Sequence, residues 1–243
     1  HEEIMRLLII RHADPDYSID SLTPLGFKQA KALGKYLKGV QIDEAYVSPL
    51  GRAQDTAKLG LKYKNIKPIT LKWLREFDSV IPFPDGRTNT WDWPVNEWSS
   101  SEESYSIDTW LNQELISKSP NIKELYKERI DGLDELLAKH GYIRDGRNYK
   151  VVKESHETIA LFCHFGVECI FLAHLLHISP ILLWHHFVAT PSSVTIINTE
   201  ERKQGLAAWR VSCFGDLSHL HKYNVDEAFA ARYCECYSDP TRH

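Results

Sequence analysis

Met5-Arg-Leu-Leu-Ile-Ile10 constrains the fold more than any other stretch of this chain. An apolar run of strand length with no polar face reads as a strand buried on both sides in a parallel sheet. It stops at Arg11-His12-Ala-Asp-Pro15, and Leu22-Thr-Pro-Leu-Gly26 then opens a helix. Thr23 is the expected N-cap and Pro24 the first helical residue. Phe27, Ala30, Leu33 and Leu37 recur at helical spacing to about Lys38. A second strand is expected at Glu44–Val47, a helix through Arg52, Thr56 and Leu59, and a third strand at Pro68–Leu74, ending in Arg75-Glu76. This alternation predicts an α/β chain: a three-layer α/β/α arrangement around a mainly parallel central sheet.

The pattern breaks at residues 78–105, where Pro82, Pro84, Gly86 and Pro94 surround Trp91, Trp93 and Trp98. A stretch this long without periodicity reads as a functional loop, and its tryptophans predict that it packs on the body. Helix is expected again over about 104–118 and 121–140, the second with Ile122, Leu125, Ile130, Leu133, Leu136 and Leu137 in one stripe. Tyr149–Lys153 and Thr158–Cys163 are expected to pair as strands. His164-Phe-Gly-Val-Glu168 leads into a buried helix over 167–177, and Ser193–Asn198 with Ala207–Ser212 reads as a final hairpin. The expected organisation is one domain over 1–243, with an insertion at about 78–150 forming a cap or lid and a C-terminal extension at 221–243.

Twenty-nine basic against 33 acidic residues give a net charge of −4. A nucleic-acid partner is not expected, because duplex binding needs concentrated positive charge. Thr158–Val188 carries one formal charge, Glu168, and has the length of a membrane span. His164, Glu168, His174 and His177 would be costly in lipid, and Gly166 and Pro180 divide the run, so no membrane association is expected. Cys163, Cys169, Cys213, Cys234 and Cys236 show no disulfide spacing. Free thiols and a start without a signal-peptide pattern predict a cytoplasmic protein.

In open α/β sheets ligands sit beyond the carboxyl ends of the strands. Those ends carry Arg11-His12, Ser48 leading to Arg52, Glu76 and His164. Arginine forks match phosphate oxygens in planar geometry and stay charged at any working pH. Helix N-termini add backbone donors for an anion. The strand ends alone therefore point to a phosphate monoester. Arg87 is a candidate for a second anionic group, and Trp91, Trp93, Trp98 and Tyr105 for an aromatic lid.

Leu7-Leu-Ile-Ile-Arg-His12, Leu22-Thr-Pro-Leu-Gly-Phe-Lys-Gln-Ala30, Val47-Ser-Pro-Leu-Gly-Arg-Ala-Gln-Asp-Thr-Ala57, Leu74-Arg-Glu76 and Phe162-Cys-His-Phe-Gly166 together resemble the motifs of the histidine phosphatase superfamily, the phosphoglycerate-mutase-like group. The resemblance covers roughly residues 5–76 and 158–220 and implies that family's fold. It implies His12 as the nucleophile that forms a phosphohistidine, with Glu76 as the acid and base. Arg11, Arg52 and His164, with Ser18 and Thr23, would bind substrate. It implies no metal and no cofactor, since the fixed cations carry the charge.

Ala13 stands where the family has Gly after its Arg-His, Ser18 where many relatives have Asn, and Phe165 where a small residue is usual. The basic run and the Asn-Ser-Leu-Arg sequence of true phosphoglycerate mutases are absent, Val167-Glu168-Cys169 standing in place of the latter. The expectation is therefore a phosphatase acting on a small phosphomonoester. A mutase-type transfer and an inactive phospho-ligand-binding relative are the alternatives. A Cys-based phosphatase loop, a Walker loop and Gly-x-Ser-x-Gly are all missing. His174/His177 and His185-His186 lack the partners of a zinc site. A homodimer is a reasonable expectation at this size.

Overall fold

The run that opened the reading is the centre of the sheet. The computed structural model describes residues 4–229 and 236–239. Strand β1 (Arg6–Arg11) is buried on both faces. Two short strands, β2 (Pro15–Asp16) and β3 (Ser21–Leu22), form a hairpin that leads into α1 (Pro24–Leu37). Thr23 caps α1 by accepting a hydrogen bond from Gly26 N–H. Then come β4 (Glu44–Val47), α2 (Gly51–Gly60) and β5 (Ile69–Thr70). The insertion carries the short helices α3 (Val95–Trp98) and α4 (Glu114–Ser117), the long α5 (Ile122–Lys139) and a hairpin, β6 (Tyr142–Asp145) and β7 (Asn148–Val151). The chain continues through β8 (Thr158–Cys163), α6 (Phe165–Leu176), α7 (Pro180–His186), β9 (Val194–Lys203), β10 (Leu206–Asp216) and α8 (Ser218–Lys222).

Eight strands form one sheet in the order β5-β4-β8-β1-β9-β10-β7-β6. The pairs among β5, β4, β8 and β1 are parallel. The other four pairs are antiparallel. The α/β class stands, with parallel pairing confined to the half that bears the site.

Period-two alternation along β1 and β8 explains the layers. Met5, Leu7, Ile9, Ile159 and Leu161 face a large core with α5, α6, α7 and the insertion aromatics. Leu8, Ile10, Ala160 and Phe162 face a smaller core under α1 and α2. Helix α6 is apolar all round because it is enclosed, and no helix among the described residues is long and apolar enough to cross a membrane. Cys163, Cys169, Cys213 and Cys236 are free; of the expected C-terminal extension, residues 230–235, with Cys234, and 240–243 lie outside the described residues.

Four expectations need correction. The third strand keeps only Ile69–Thr70; residues Lys72–Leu74 turn into a 3-10 helix that drops Leu74 into the core. Residues 104–118 form separate short turns, not one helix. There Asp108 N–H bonds to Ser106 Oγ and the Thr109 hydroxyl to Glu103 O, and such local bonds compete with helical ones. The 149–153 stretch does not pair with β8; it pairs with β10 and with the unpredicted β6 across Gly146-Arg147, where Gly146 has φ +61°. Finally, the insertion is not wholly a cap, since its last part supplies α5 and two strands of the central sheet.

Candidate active site

The carboxyl ends of β1, β4 and β8 meet at one place because these strands are neighbours in register, Arg11 opposite Cys163 and Val47 opposite Phe162. The next residues on each strand are His12, Ser48 and His164. His12 N–H donates to Cys163 O at 3.0 Å and Ser48 N–H to Phe162 O at 2.9 Å, so the sheet ladder itself fixes these positions.

His12 is 2 % exposed, and its Nδ1 lies 2.8 Å from the Ala13 carbonyl. A carbonyl only accepts, so Nδ1 holds the ring proton and Nε2 presents its lone pair. Burial, then Arg11 and Arg52, push the His12 pKa well below the ordinary range against the opposing pull of that carbonyl, which keeps the imidazole neutral. Ala13 is accommodated without positive φ, its N–H held at 3.0 Å by Thr56 Oγ1.

The His164 ring centroid is 5.1 Å from that of His12. Its Nε2 lies 2.8 Å from Ser48 Oγ, while Nδ1 is buried without a partner. Its pKa is also pushed well down, by burial first and then by His12, Arg52 and Arg11.

Arg11 donates to Ala189 O at 2.6 Å, and its guanidinium lies 5.6 Å from the Phe165 ring centroid. Phe165, 1 % exposed, thus walls this arginine. Arg52 sits in the first turn of α2, where its Nη1 pairs with Asp20 Oδ1 at 2.7 Å. Asp20 also accepts from Gly51 N–H at 2.7 Å. Burial would raise the Asp20 pKa, but Gly51 N–H and Arg52 outweigh it and hold the carboxyl low. The Nε atoms of both arginines are buried without a partner.

Glu76 reaches the same place from the opposite side. Its Oε1 accepts from Phe77 N–H at 2.7 Å and Val167 N–H at 2.9 Å, and its Oε2 from Gly166 N–H at 3.2 Å. The acid therefore sits on the N-terminus of α6, one residue beyond His164. Burial raises its pKa, against the pull of those three amides and of Arg11. A Cβ at Gly166 would lie 2.6 Å from Glu76 Oε1, so glycine is what lets the carboxylate dock.

The structure brings together Arg11, His12, Arg52, Glu76 and His164. Ser18 and Thr23 are placed differently. Ser18 is exposed, with its N–H and hydroxyl both on Asp16 Oδ1. The Thr23 hydroxyl is committed to the α1 cap and to Asp14 Oδ2 at 2.6 Å. Arg87 is held by Asp85 and Glu97. Trp93 and Trp98 are buried against α7. There Trp93 N–H donates to His185 Nε2 at 2.9 Å, and Trp98 stacks on the His185 ring at 5.1 Å.

Two buried charges were missed. Arg129 on α5 is fully buried and donates to the Glu76 carbonyl at 2.9 Å. Its spacing from Leu125, Gly132 and Leu136 puts a cation on the apolar stripe, a signal present in the sequence. Glu168, the lone charge in an apolar run, is 1 % exposed on α6, and neither oxygen has a hydrogen bond of normal geometry.

The model of the histidine phosphatase superfamily (branch 1) matches residues 7–141. The adenosylcobalamin/alpha-ribazole phosphatase of Escherichia coli (strain K12) is 26% identical over 192 residues, covering 74% of this chain and 84% of that one. A 2,3-bisphosphoglycerate-dependent phosphoglycerate mutase of Methylorubrum populi is 29% identical over 160 residues, or 56% of this chain and 74% of its own. Among solved structures, the phosphoserine phosphatase of Entamoeba histolytica in complex with 3-phosphoglyceric acid aligns with a TM-score of 0.60 at 20% identity, over 89% of this chain and 99% of that one.

Proposed function

Because the chain belongs to the histidine phosphatase superfamily, we propose that it hydrolyses a small phosphomonoester through a phosphohistidine on His12, without a metal. One observation carries this reading: buried donors of Arg11, Arg52 and His164 lack protein partners beside a neutral imidazole whose Nε2 lone pair is available. Unpaired buried donors are costly, and a dianionic phosphoryl group would satisfy all three.

In the first step His12 Nε2 forms a bond to phosphorus, and the ester P–O bond breaks with its electron pair on the alcohol oxygen. Glu76, whose pKa burial raises, gives that oxygen its proton. In the second step water attacks phosphorus and Glu76 takes its proton. The P–N bond then breaks, its electron pair returns to Nε2, and inorganic phosphate leaves. Arg11 and Arg52, with His164 donating from Nδ1, hold the equatorial oxygens through both steps. Ser48 Oγ accepts from Leu50 N–H at 3.2 Å and can donate its own proton to His164 Nε2, the arrangement that leaves the ring proton on Nδ1.

His12→Ala is the test. The variant is expected to lose turnover on small phosphomonoesters and acid-labile labelling by ³²P-substrate, while its fold and phosphate binding persist. Full activity in His12→Ala would overturn the assignment. Mutase-type transfer would appear as movement of phosphate between hydroxyls of one substrate rather than release.

A further inference from the structure

The organic side of the substrate is legible around Glu76, provided that the phosphatase reading above holds and Glu76 protonates the leaving oxygen. The position a Gly166 Cβ would take is 2.6 Å from Glu76 Oε1 and 2.8 Å from Trp91 Cε3, so the carboxylate and the edge of the indole converge on one point. An ester oxygen that reaches Glu76 brings its carbon substituent close to that ring. Of the three loop tryptophans, Trp93 and Trp98 are buried anchors at 4 % and 5 % exposure, whereas Trp91 is only half-buried. On the cationic side the Tyr17 ring lies 5.1 Å from the Arg52 guanidinium carbon and is 68 % exposed, with Ile19 exposed beside it.

Charge points the same way. The arginines of the insertion and of the turn before it are committed: Arg87 to Asp85 and Glu97, Arg75 to Glu128 at 3.1 Å, and Arg129 to Glu128 at 3.0 Å. Asp78, two residues beyond Glu76, has a largely exposed side chain and lies 3.7 Å from Arg129. A carboxylated leaving group would find no uncommitted arginine of the insertion to receive it, and its desolvated charge would go unpaired there.

We propose that the substrate is the phosphate ester of an uncharged arylalkyl alcohol whose ring packs on Trp91, and that Trp91 is the specificity-determining residue. Flat rings gain from offset or edge-to-face contact with an indole, whereas a short charged alcohol gains nothing there.

The test compares kcat/KM for 2-phenylethyl phosphate with O-phosphoserine, 3-phosphoglycerate and glycerol 3-phosphate. All are esters of aliphatic alcohols, so the comparison isolates the side group from the activated leaving group of an aryl phosphate. The expected preference for 2-phenylethyl phosphate is about tenfold or more. Trp91→Ala should bring the ratio to about one while Trp91→Phe keeps most of it. Inhibition by inorganic phosphate, which reads the phosphoryl pocket and the integrity of the fold, should stay unchanged in both variants. Preference for the anionic esters, or an equal loss on all esters in Trp91→Ala with phosphate inhibition intact, overturns this inference and leaves the phosphatase reading standing. Absence of turnover on every ester overturns both.

Discussion

Replacing Glu168 by Gln measures what a buried carboxyl costs this fold. Burial pushes the Glu168 pKa from its ordinary 4.5 up to about 7, with Thr195 and Arg11 pulling down and Glu76 pushing further up. Because the folded state holds the proton more tightly, stability is fully present below about 4.5 and is lost as pH rises through about 7. At about 1.4 kcal/mol per unit, the loss between about pH 5 and pH 8 comes to about 2.5 kcal/mol. Glutamine does not titrate. Its amide would itself be poorly bonded at this place, an offset of about 1–2 kcal/mol that is the same at every pH. The informative quantity is therefore the pH dependence of the difference, not its size at one pH. Urea unfolding of both proteins, followed by the fluorescence of the seven tryptophans, supplies it. Wild type should lose about 2.5 kcal/mol more than Glu168→Gln on going from about pH 5 to pH 8. Parallel curves across that range would refute the claim that Glu168 is an ionisable burden held inside the core.

Two further substitutions address the acid. In Gly166→Ala, the new methyl meets Glu76 Oε1 at 2.6 Å and Trp91 at 2.8 Å. The helix-propensity gain of about 1 kcal/mol is outweighed by overpacking of about 1–3 kcal/mol, so the melting temperature should fall. The displaced acid should cut kcat by about 10²-fold or more on alkyl esters and much less on p-nitrophenyl phosphate, whose leaving group needs little protonation. Unchanged kcat on alkyl esters would refute the docking argument. Arg129→Met removes the cation that holds the Glu76 carbonyl. It should lower kcat with inorganic-phosphate inhibition unchanged, marking Arg129 as a positioning residue; equal changes in both would reduce it to a structural one.

What was legible follows the range of the forces involved. Strand β1, helix α1 and strand β4 could be read because periodicity and capping are local; the Thr23 cap with Pro24 behind it needs no distant partner. The five-residue cluster followed from strand-end geometry plus motif. The pairing of residues 149–151 was not legible, because its partner β10 begins more than fifty residues later. The loop tryptophans were read as one group, yet the structure splits them, since His185 on α7 is what pins Trp93 and Trp98. Thr23 and Ser18 show a related limit: a hydroxyl near a motif can be satisfied by the backbone or by a neighbouring aspartate.

The central place of β1 bears on how the molecule comes into being during synthesis. Residues 6–11 pair on one edge with 158–163 and on the other with 194–198, and Arg11 and His12 are gripped by the carbonyls and amides of 189–193. The motif at residues 11–12 thus waits for segments made some 150 to 190 residues later. At about 5–20 residues per second, the wait is on the order of ten to forty seconds. Such long-range closure is slow relative to local helix formation. A truncated chain ending before residue 189 would carry Arg11, His12, Arg52 and Glu76 and still lack the Ala189 carbonyl that holds the Arg11 guanidinium and the Ser193 carbonyl that holds its amide. The site is thus complete only when the late segments are in place, so its assembly reports closure of the sheet around β1.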